Sequence, residues 1–543
     1  MAKLSVEQAL TKGKSHVKKG ELEKARTIYA AILKAFPNNK KAQKAQAILG
    51  ETAQLDTDQG PPPEIRNQLV TLYEQGQFIA VVKQTQTLAK QYPKALFVWF
   101  LLGVANKGLG REEDASIAFK KVTEVDPQNF EGHNNLGTSL AEQGKLEEAT
   151  KSYGRALSIK PDYAEAHNNI GNVLKNQGRL AEAITAYGKA IQFKPAYAEA
   201  HYNLGNALND QQKFEEAIQY FKKSIEIDPE FADAYHNMSL ALLASLNFSE
   251  GFMLNEWRWK TTERAGKFLI SQKPVWHGQR NASVLVWADQ GIGDEIFFSS
   301  MIPELYVVCA KLIIQCDERL IPLYKRSFPE DVIYYGKESR IAEDDYDFHI
   351  AVTSLGQHFR KTPESFGQTS RGWLVGDNLQ TNYLRSELIA GENERLLGIS
   401  WKTKNESNLG KGAGISLFDL VRAVSSPKVK LVNLQYGDVT AEIASVKNAL
   451  GVEIIQVNQI NNQSDIDGLA SLIGACDEVV SIDNATIHLC GALGAKSTVL
   501  LSYVCDWRWA RLKKKSAAYN EINILQQPNP ADWEAVINAV QIR

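Results

Sequence analysis

The chain has 543 residues, too many for one domain, and its apolar share of 44% is ordinary for a globular protein. A formal net charge of −2 gives no sign of a nucleic-acid or membrane partner. No apolar core follows the basic start MAKLSVEQALTKGKSHVKKG, and the longest apolar stretch, ALFVWFLLGVA, is too short to cross a bilayer, so neither a signal peptide nor a membrane span is expected.

Helices come first. Pro93, Pro127, Pro161, Pro195 and Pro229 recur at a 34-residue step. Leu136–Gly137, Ile170–Gly171 and Leu204–Gly205 keep the same step, as do Ala149, Ala183 and Ala217, and then Tyr153, Tyr187 and Phe221. The pattern resembles the tetratricopeptide repeat, which implies an all-α superhelix of antiparallel helix pairs over residues 64–250. Small residues let the helices approach, the aromatic fills the gap, and proline ends the second helix. Gly13, Gly20, Ala25, Tyr29 and Pro37 outline an earlier unit. DTDQGPPPEI then breaks the register, so residues 1–58 are expected to be a separate helical module on a stiff linker. Asn135, Asn169, Asn203 and Asn237 also step by 34, while Leu101 holds that place in the preceding unit. In superhelices like those of O-linked N-acetylglucosamine transferases, such a ladder holds an extended peptide, because an amide both donates and accepts as a peptide group does. The alternative is a residue that ties one repeat to the next.

A helical connector is expected over 251–281, and from 282 the period changes. SVLVWA, KLIIQC and DVIYY are short β-branched runs with amphipathic stretches between them. After a weakly patterned stretch come LLGISWK, VKLVNLQYG, VEIIQV, DEVVSID and STVLLS. The alternation predicts parallel sheets covered by helices, in two Rossmann-like lobes, 282–390 and 391–543, with a cleft between them. Cys309, Cys316, Cys476, Cys490 and Cys505 form no CxxC pair and are expected to be buried, reduced thiols of a cytoplasmic protein. No residues have metal-ligand spacing.

Ligands in such folds bind beyond the carboxyl ends of strands. One candidate junction is the loop Asp289-Gln290-Gly291-Ile292-Gly293 with Asp294 behind it. It is a poor dinucleotide fingerprint, since Ile296 stands where a third glycine is needed and the acid after Gly293 would repel a pyrophosphate. The other is Asp483-Asn484-Ala485-Thr486-Ile487-His488, which reads equally as a phosphate site at a helix end or as a helix cap with a buried histidine.

Together the junctions are more specific. GIGDEIFFSSMIPEL with SIDNATIHLCGALGAKSTVLLS resembles the heptosyltransferase-like, two-lobed (GT-B) glycosyltransferases. EGFMLNEWRWK, LGISWKTKN, LVNLQYGD and CDWRWARL also have counterparts in bacterial proteins that join tetratricopeptide repeats to such a module. Some of those are flagellin glycosyltransferases that use a nonulosonic acid. The resemblance covers most of the chain beyond residue 60. It implies a metal-independent protein O-glycosyltransferase whose repeat arm holds the acceptor protein, flagellin in some members. The first lobe would face the acceptor. The second would bind a nucleotide-sugar, a CMP-nonulosonic acid or the core family's ADP-heptose, with no further cofactor. By position, Asp294 would take the acceptor's proton, or merely cap its helix, while Gln290, Gly291 and Gly293 would lie against sugar or acceptor. Lys402 would meet the donor phosphate, Gln435 the nucleotide, and Asn484, Thr486 and His488 the phosphate and adjoining sugar, with Asp483 orienting the loop. Trp257, Arg258 and Trp259 are expected to pack the last repeat onto the first lobe. Trp507, Arg508 and Trp509 would shape the donor pocket or join the lobes. A non-enzymatic repeat scaffold with a decayed transferase, and a transferase for a glycan or lipid acceptor, are the rival readings.

Overall fold

The structure, a computed structural model, describes residues 6–18, 22–51, 60–264, 266–369, 372–389, 391, 394–403, 414–512 and 515–540. The chain divides into two compact units, Met1–Phe231 and Ala232–Arg543.

The first unit is all-helical. Its regular part pairs Phe130–Glu142 with Leu146–Ile159, Ala164–Asn176 with Leu180–Phe193, and Ala198–Asp210 with Phe214–Ile227. Packing explains the invariant step. A Cβ on Gly137, Gly171 or Gly205 would lie 2.7, 2.5 and 2.7 Å from the rings of Tyr153, Tyr187 and Phe221, respectively, so only glycine fits beneath each ring. The turn inside each pair needs a left-handed residue, which Gly76, Gly110, Gly144 and Gly178 supply. Gln212 and Leu246 hold the same place with φ of 60° and 66°. Successive units are tied at another repeated position. Trp99 Nε1–H donates to Pro93 O at 2.9 Å, and the Nε2–H groups of His133, His167 and His201 donate to the carbonyls of Pro127, Pro161 and Pro195 at 3.0–3.2 Å. A carbonyl only accepts, so the geometry fixes the histidine tautomer.

Residues 1–58 do not stand apart as expected. Leu10, Val17, Tyr29, Ile32 and Ala42, from helices Val6–Lys18, Leu22–Ala35 and Lys40–Glu51, share one core with Leu69, Val70 and Tyr73 of Pro63–Glu74. The last proline of the PPP run opens that fourth helix, where its missing N–H costs nothing. Linker residues 52–59 and Gly20 lie outside the described residues.

The second unit begins with the helix pair Ala232–Ala244 and Phe248–Asn255, which keeps the repeat sequence but groups with the α/β region. Its first sheet contains β1 (Ser283–Trp287), β2 (Lys311–Cys316), β3 (Ile333–Gly336) and β4 (Phe348–Ala351) in the order β3-β2-β1-β4, all parallel. The second contains β5 (Arg395–Ser400), β6 (Val429–Asn433), β7 (Ile454–Ile455), β8 (Glu478–Ile482), β9 (Ser497–Leu501) and β12 (Ile522–Gln526), ordered β12-β9-β8-β5-β6-β7 and also parallel. A short antiparallel pair, β10 (Arg511–Leu512) with β11 (Lys515–Ser516), precedes β12. Helices cover both faces of the second sheet, while on one face of the first Leu285 and Ile313 pack with Leu269, Ile341 and Tyr346, Leu269 coming from the expected helical connector, which among the described residues is helical only as far as Lys260.

The expected cleft between the lobes is largely filled. Val286, Phe297 and Phe298 from the first lobe and Leu489, Cys490, Trp507, Trp509 and Tyr519 from the second belong to one apolar core. Trp373 Nε1–H donates to Ser299 Oγ at 2.9 Å, and Arg326 pairs with Asp467 at 2.6 Å. None of the five cysteines is in a disulfide, and burial pushes the Cys476 thiol up to about 12. No described helix is long and apolar enough to cross a membrane.

Candidate functional site

Strand order locates the ligand positions of a doubly wound sheet, which lie where the order reverses. In the first sheet that point is between β1 and β4, and the chain itself fills it. Arg258, fully buried, donates to Thr353 Oγ1 at 2.8 Å and Ser354 Oγ at 2.7 Å just beyond β4, and lies 3.6 Å from Asp289 beyond β1. Thr353 Oγ1–H also donates to Asp289 at 2.7 Å. Burial pushes the Asp289 carboxyl up while Arg258 and the Thr353 donors pull it back. Tyr235 stacks on Trp257 at 3.8 Å, and Trp259 meets Trp287 at 5.5 Å. The 257–259 segment therefore packs the final repeat pair onto the first lobe, as its aromatic composition suggests.

In the second sheet the order reverses between β5 and β8. Ser400, Trp401 and Lys402 end one strand, and Ile482, Asp483 and Asn484 end the other. The geometry reassigns two residues expected to touch donor. Asn484 caps helix Ala485–Leu493: its Oδ1 accepts from Thr486 N at 3.0 Å and Ile487 N at 3.4 Å, and its Nδ2 donates to Ser400 Oγ at 2.8 Å and Lys402 O at 3.3 Å. The helix end thus spends two of its N–H groups on the cap, because an asparagine amide can satisfy both while still bracing β5. Gln435 is likewise engaged: its Oε1 accepts from Ser400 Oγ, Trp401 N and Lys402 N at 2.8–3.0 Å, and its Nε2 donates to Lys402 O and Tyr436 O. It is a bracket for the end of β5 rather than a group facing a nucleotide. Lys402 Nζ pairs with Glu442 at 2.8 Å, a half-exposed ion pair that an incoming anion can exchange. The Thr486 hydroxyl is buried without a partner.

The glycine loop comes to this same end. Helix 292–298 packs against helix 485–493 so closely that a Cβ on Gly293 would lie 3.4 Å from His488 Cδ2. Gly291 has an ordinary φ of −79°, and an added Cβ there would meet only Asp294 Oδ2, at 3.7 Å. Nothing among the described residues demands that glycine. Its loop is firmly held: Arg264 donates to Asp289 O at 3.0 Å and Lys337 to Gln290 O at 2.8 Å. Asp294 accepts from Gly291 N at 3.3 Å, which is the capping alternative, and its other oxygen pairs with Arg508 Nη2. The Arg508 guanidinium also donates to Asp506 at 2.7 Å and lies over Trp507. Burial works against its charge, but Asp294 and Asp506 more than restore it, so the Arg508 pKa is raised. His488 stacks on Trp509 at 5.3 Å, with Tyr519 Oη 2.8 Å from Nδ1 and Asp483 Oδ1 3.6 Å from Nε2. Burial pushes the Tyr519 hydroxyl well up, so it stays protonated.

Sequence reasoning therefore left Arg508 open between the donor pocket and the lobe junction, and missed Tyr519 altogether. The DWRW run was the one signal for the former, and nothing in spacing pointed to the latter. Among the described residues no group of three or more His, Cys, Asp or Glu is placed to hold a metal.

The asparagine ladder lies on the first helix of each pair, with Asn135, Asn169, Asn203 and Asn237 half-buried. Asn169 Nδ2 donates to Asn134 Oδ1 and Asn203 Nδ2 to Asn168 Oδ1, each at 3.0 Å. These two rungs bind one repeat to the next, each spending one amide N–H of the four bonds an amide can make.

Family models described as tetratricopeptide repeats match residues 10–39, 98–129, 118–151, 137–178, 171–212 and 198–231. The first unit is a tetratricopeptide-repeat array, a fold class built for protein partners. Protein FlbA of Caulobacter vibrioides is 32% identical over 255 residues, 44% of this chain; the match spans 42% of that protein's own length. The crystal structure of MamA is 27% identical over 31% of this chain and 98% of that one, with a TM-score of 0.27. YrrB, described as a repeat protein with an unusual peptide-binding site, is 21% identical over 35% of this chain and 97% of that one, with a TM-score of 0.28.

Proposed function

We propose that the protein is a cytoplasmic protein O-glycosyltransferase. The repeat array holds an acceptor protein, and the α/β unit acts as a GT-B module on a nucleotide-activated sugar. The observation that carries this reading is the meeting of two loops at one strand end. Lys402, Asp483 and His488 stand where the second sheet reverses order, and Asp294 arrives there from the other lobe. In the reaction, a Ser or Thr oxygen attacks the anomeric carbon as the bond from that carbon to the donor phosphate breaks. Asp294 takes the hydroxyl proton and Lys402 offsets charge on the departing phosphate. Family resemblance makes flagellin the first acceptor to try, with CMP-nonulosonic acid and ADP-heptose as donors.

Mass spectrometry of flagellin from cells with and without this protein tests it. A mass increment of one sugar on Ser or Thr is expected only when the protein is present. Full occupancy in its absence would remove the proposal. A second reading, a binding scaffold with an inactive transferase fold, gains from the Asp294–Arg508 pair and the shared core of the lobes. It requires that calorimetry find no nucleotide-sugar binding to the whole chain.

A further inference from the structure

The proposed donor site lacks an obvious seat for phosphate, because Asn484 already occupies the helix end that would otherwise supply N–H groups. Three other polar groups close by lack hydrogen-bond partners. Arg508 Nε, Trp509 Nε1 and Thr486 Oγ1 are all buried and unpartnered. They sit on two segments, 484–488 and 507–509, that meet where His488 stacks on Trp509. Native structures rarely leave such groups unsatisfied, and all three can donate to an oxygen. A guanidinium is also the side chain whose planar fork best matches a phosphate.

The resting charges oppose an anion, since Asp294, Asp506 and Asp483 all act on Arg508. With Nη1 on Asp506 and Nη2 on Asp294, a phosphate that takes two points of the fork has to displace a carboxylate. Asp506 is committed to its own turn, accepting from Arg508 N at 2.9 Å as well as from the guanidinium. Asp294 comes from the opposite lobe and retains a second partner in Gly291 N–H. We propose that Arg508 is the phosphate receptor, and that a donor phosphate oxygen replaces Asp294 on its guanidinium. The exchange leaves Asp294 on its helix, clear of the guanidinium and open to the acceptor hydroxyl. Base and donor are thereby coupled: Asp294 is released only when the phosphate is in place. This deepens the transferase reading and rests on its assignment of the donor site.

Calorimetric titration of the full chain with inorganic pyrophosphate is the test, using Asp294→Asn, Arg508→Lys and Arg508→Gln. Removing the competing carboxylate should make Asp294→Asn bind pyrophosphate about tenfold more tightly than the parent, a gain that an ion pair serving only structure would not give. Arg508→Gln should lose binding by about a hundredfold, and Arg508→Lys should retain part of it. Unchanged or weaker binding in Asp294→Asn overturns the proposal, as does a parent that binds no pyrophosphate or an Arg508→Lys that binds as the parent does. If Arg508→Gln does not fold, the other two variants decide. Tighter binding in Asp294→Asn without sugar transfer by the parent keeps the anion site and removes the enzyme. Transfer by the parent without that tightening does the reverse.

Discussion

At the scale of single residues, two side chains carry opposite lessons about burial. Asp294 reads as a base, a helix cap, or both, but its pairing with Arg508 gives it a third role. Asp294→Asn keeps the cap and removes a charge from a largely buried guanidinium. Loss of a buried partner usually costs roughly 3–5 kcal/mol, and retention of Asp506 should hold the loss here to about 2. Thermal unfolding of that variant should show a lower midpoint, and an unchanged midpoint would mean the pair contributes nothing. Gly171 shows the opposite case. Alanine in a helix is ordinarily favoured over glycine by about 1 kcal/mol. A Cβ there would meet the Tyr187 ring at 2.5 Å, so Gly171→Ala should instead destabilise the array by about 1–3 kcal/mol. Denaturant midpoints of the whole chain measure the sign. The glycine was legible from its 34-residue step, because every repeat sets the same packing problem. The Asp294–Arg508 pair was not, since no periodicity links two residues 214 apart in sequence. Gln435 and Asn484 misled for a related reason. Their types and strand-end positions suit a ligand, but those positions also need bracing, and only the bond geometry tells which use was made.

At the scale of elements, the helical turns separate what the repeat requires from what this chain contains. Gly144 and Gly178 take the left-handed conformation without strain, whereas Gln212 and Leu246 take it against the cost of a Cβ. Gln212→Gly should therefore raise stability, by about 1 kcal/mol once the greater freedom of glycine in the unfolded chain is subtracted. A fall in the unfolding midpoint would show that the Gln212 side chain supplies more than it costs. The asparagine rungs call for a subtler substitution. Asn134→Ala removes the acceptor that Asn169 uses and leaves the Asn169 amide in place. If the ladder serves partner binding, this variant should lose about 1 kcal/mol of stability and keep its acceptor affinity, while Asn169→Ala should lose affinity. Equal effects of both changes on affinity would leave the rungs as repeat-to-repeat ties alone. The strand–helix alternation was legible because a buried parallel sheet demands long apolar runs. The filled crevice of the first lobe was not, because Arg258 reaches it from a segment whose aromatic neighbours read only as packing.

At the scale of the whole molecule, the boundary of the α/β unit is a physical question with a measurable answer. The strands begin at Ser283, so a fragment starting at 282 contains both sheets. It lacks three things the fold uses. Phe248 and Phe252 pack against Phe366 and Trp507, and without them those rings face water. Arg258 is gone as well, which strands the Asp289 carboxylate in a site where burial already raises its pKa. An unpaired buried charge costs roughly 3–5 kcal/mol, and with a bared aromatic face added the sum uses up most of a stability of about 5–15 kcal/mol. Residues 282–543 should consequently be insoluble or lack a cooperative transition. Residues 232–543, which begin with the final repeat pair, should unfold in one step, because the largest apolar core of the unit is shared by both lobes. Calorimetry on the two fragments distinguishes the cases. A cooperative, native-like transition in the shorter fragment would mean that the last repeat pair is a passenger on the first lobe. Its absence there and presence in the longer one would make that pair part of the α/β fold.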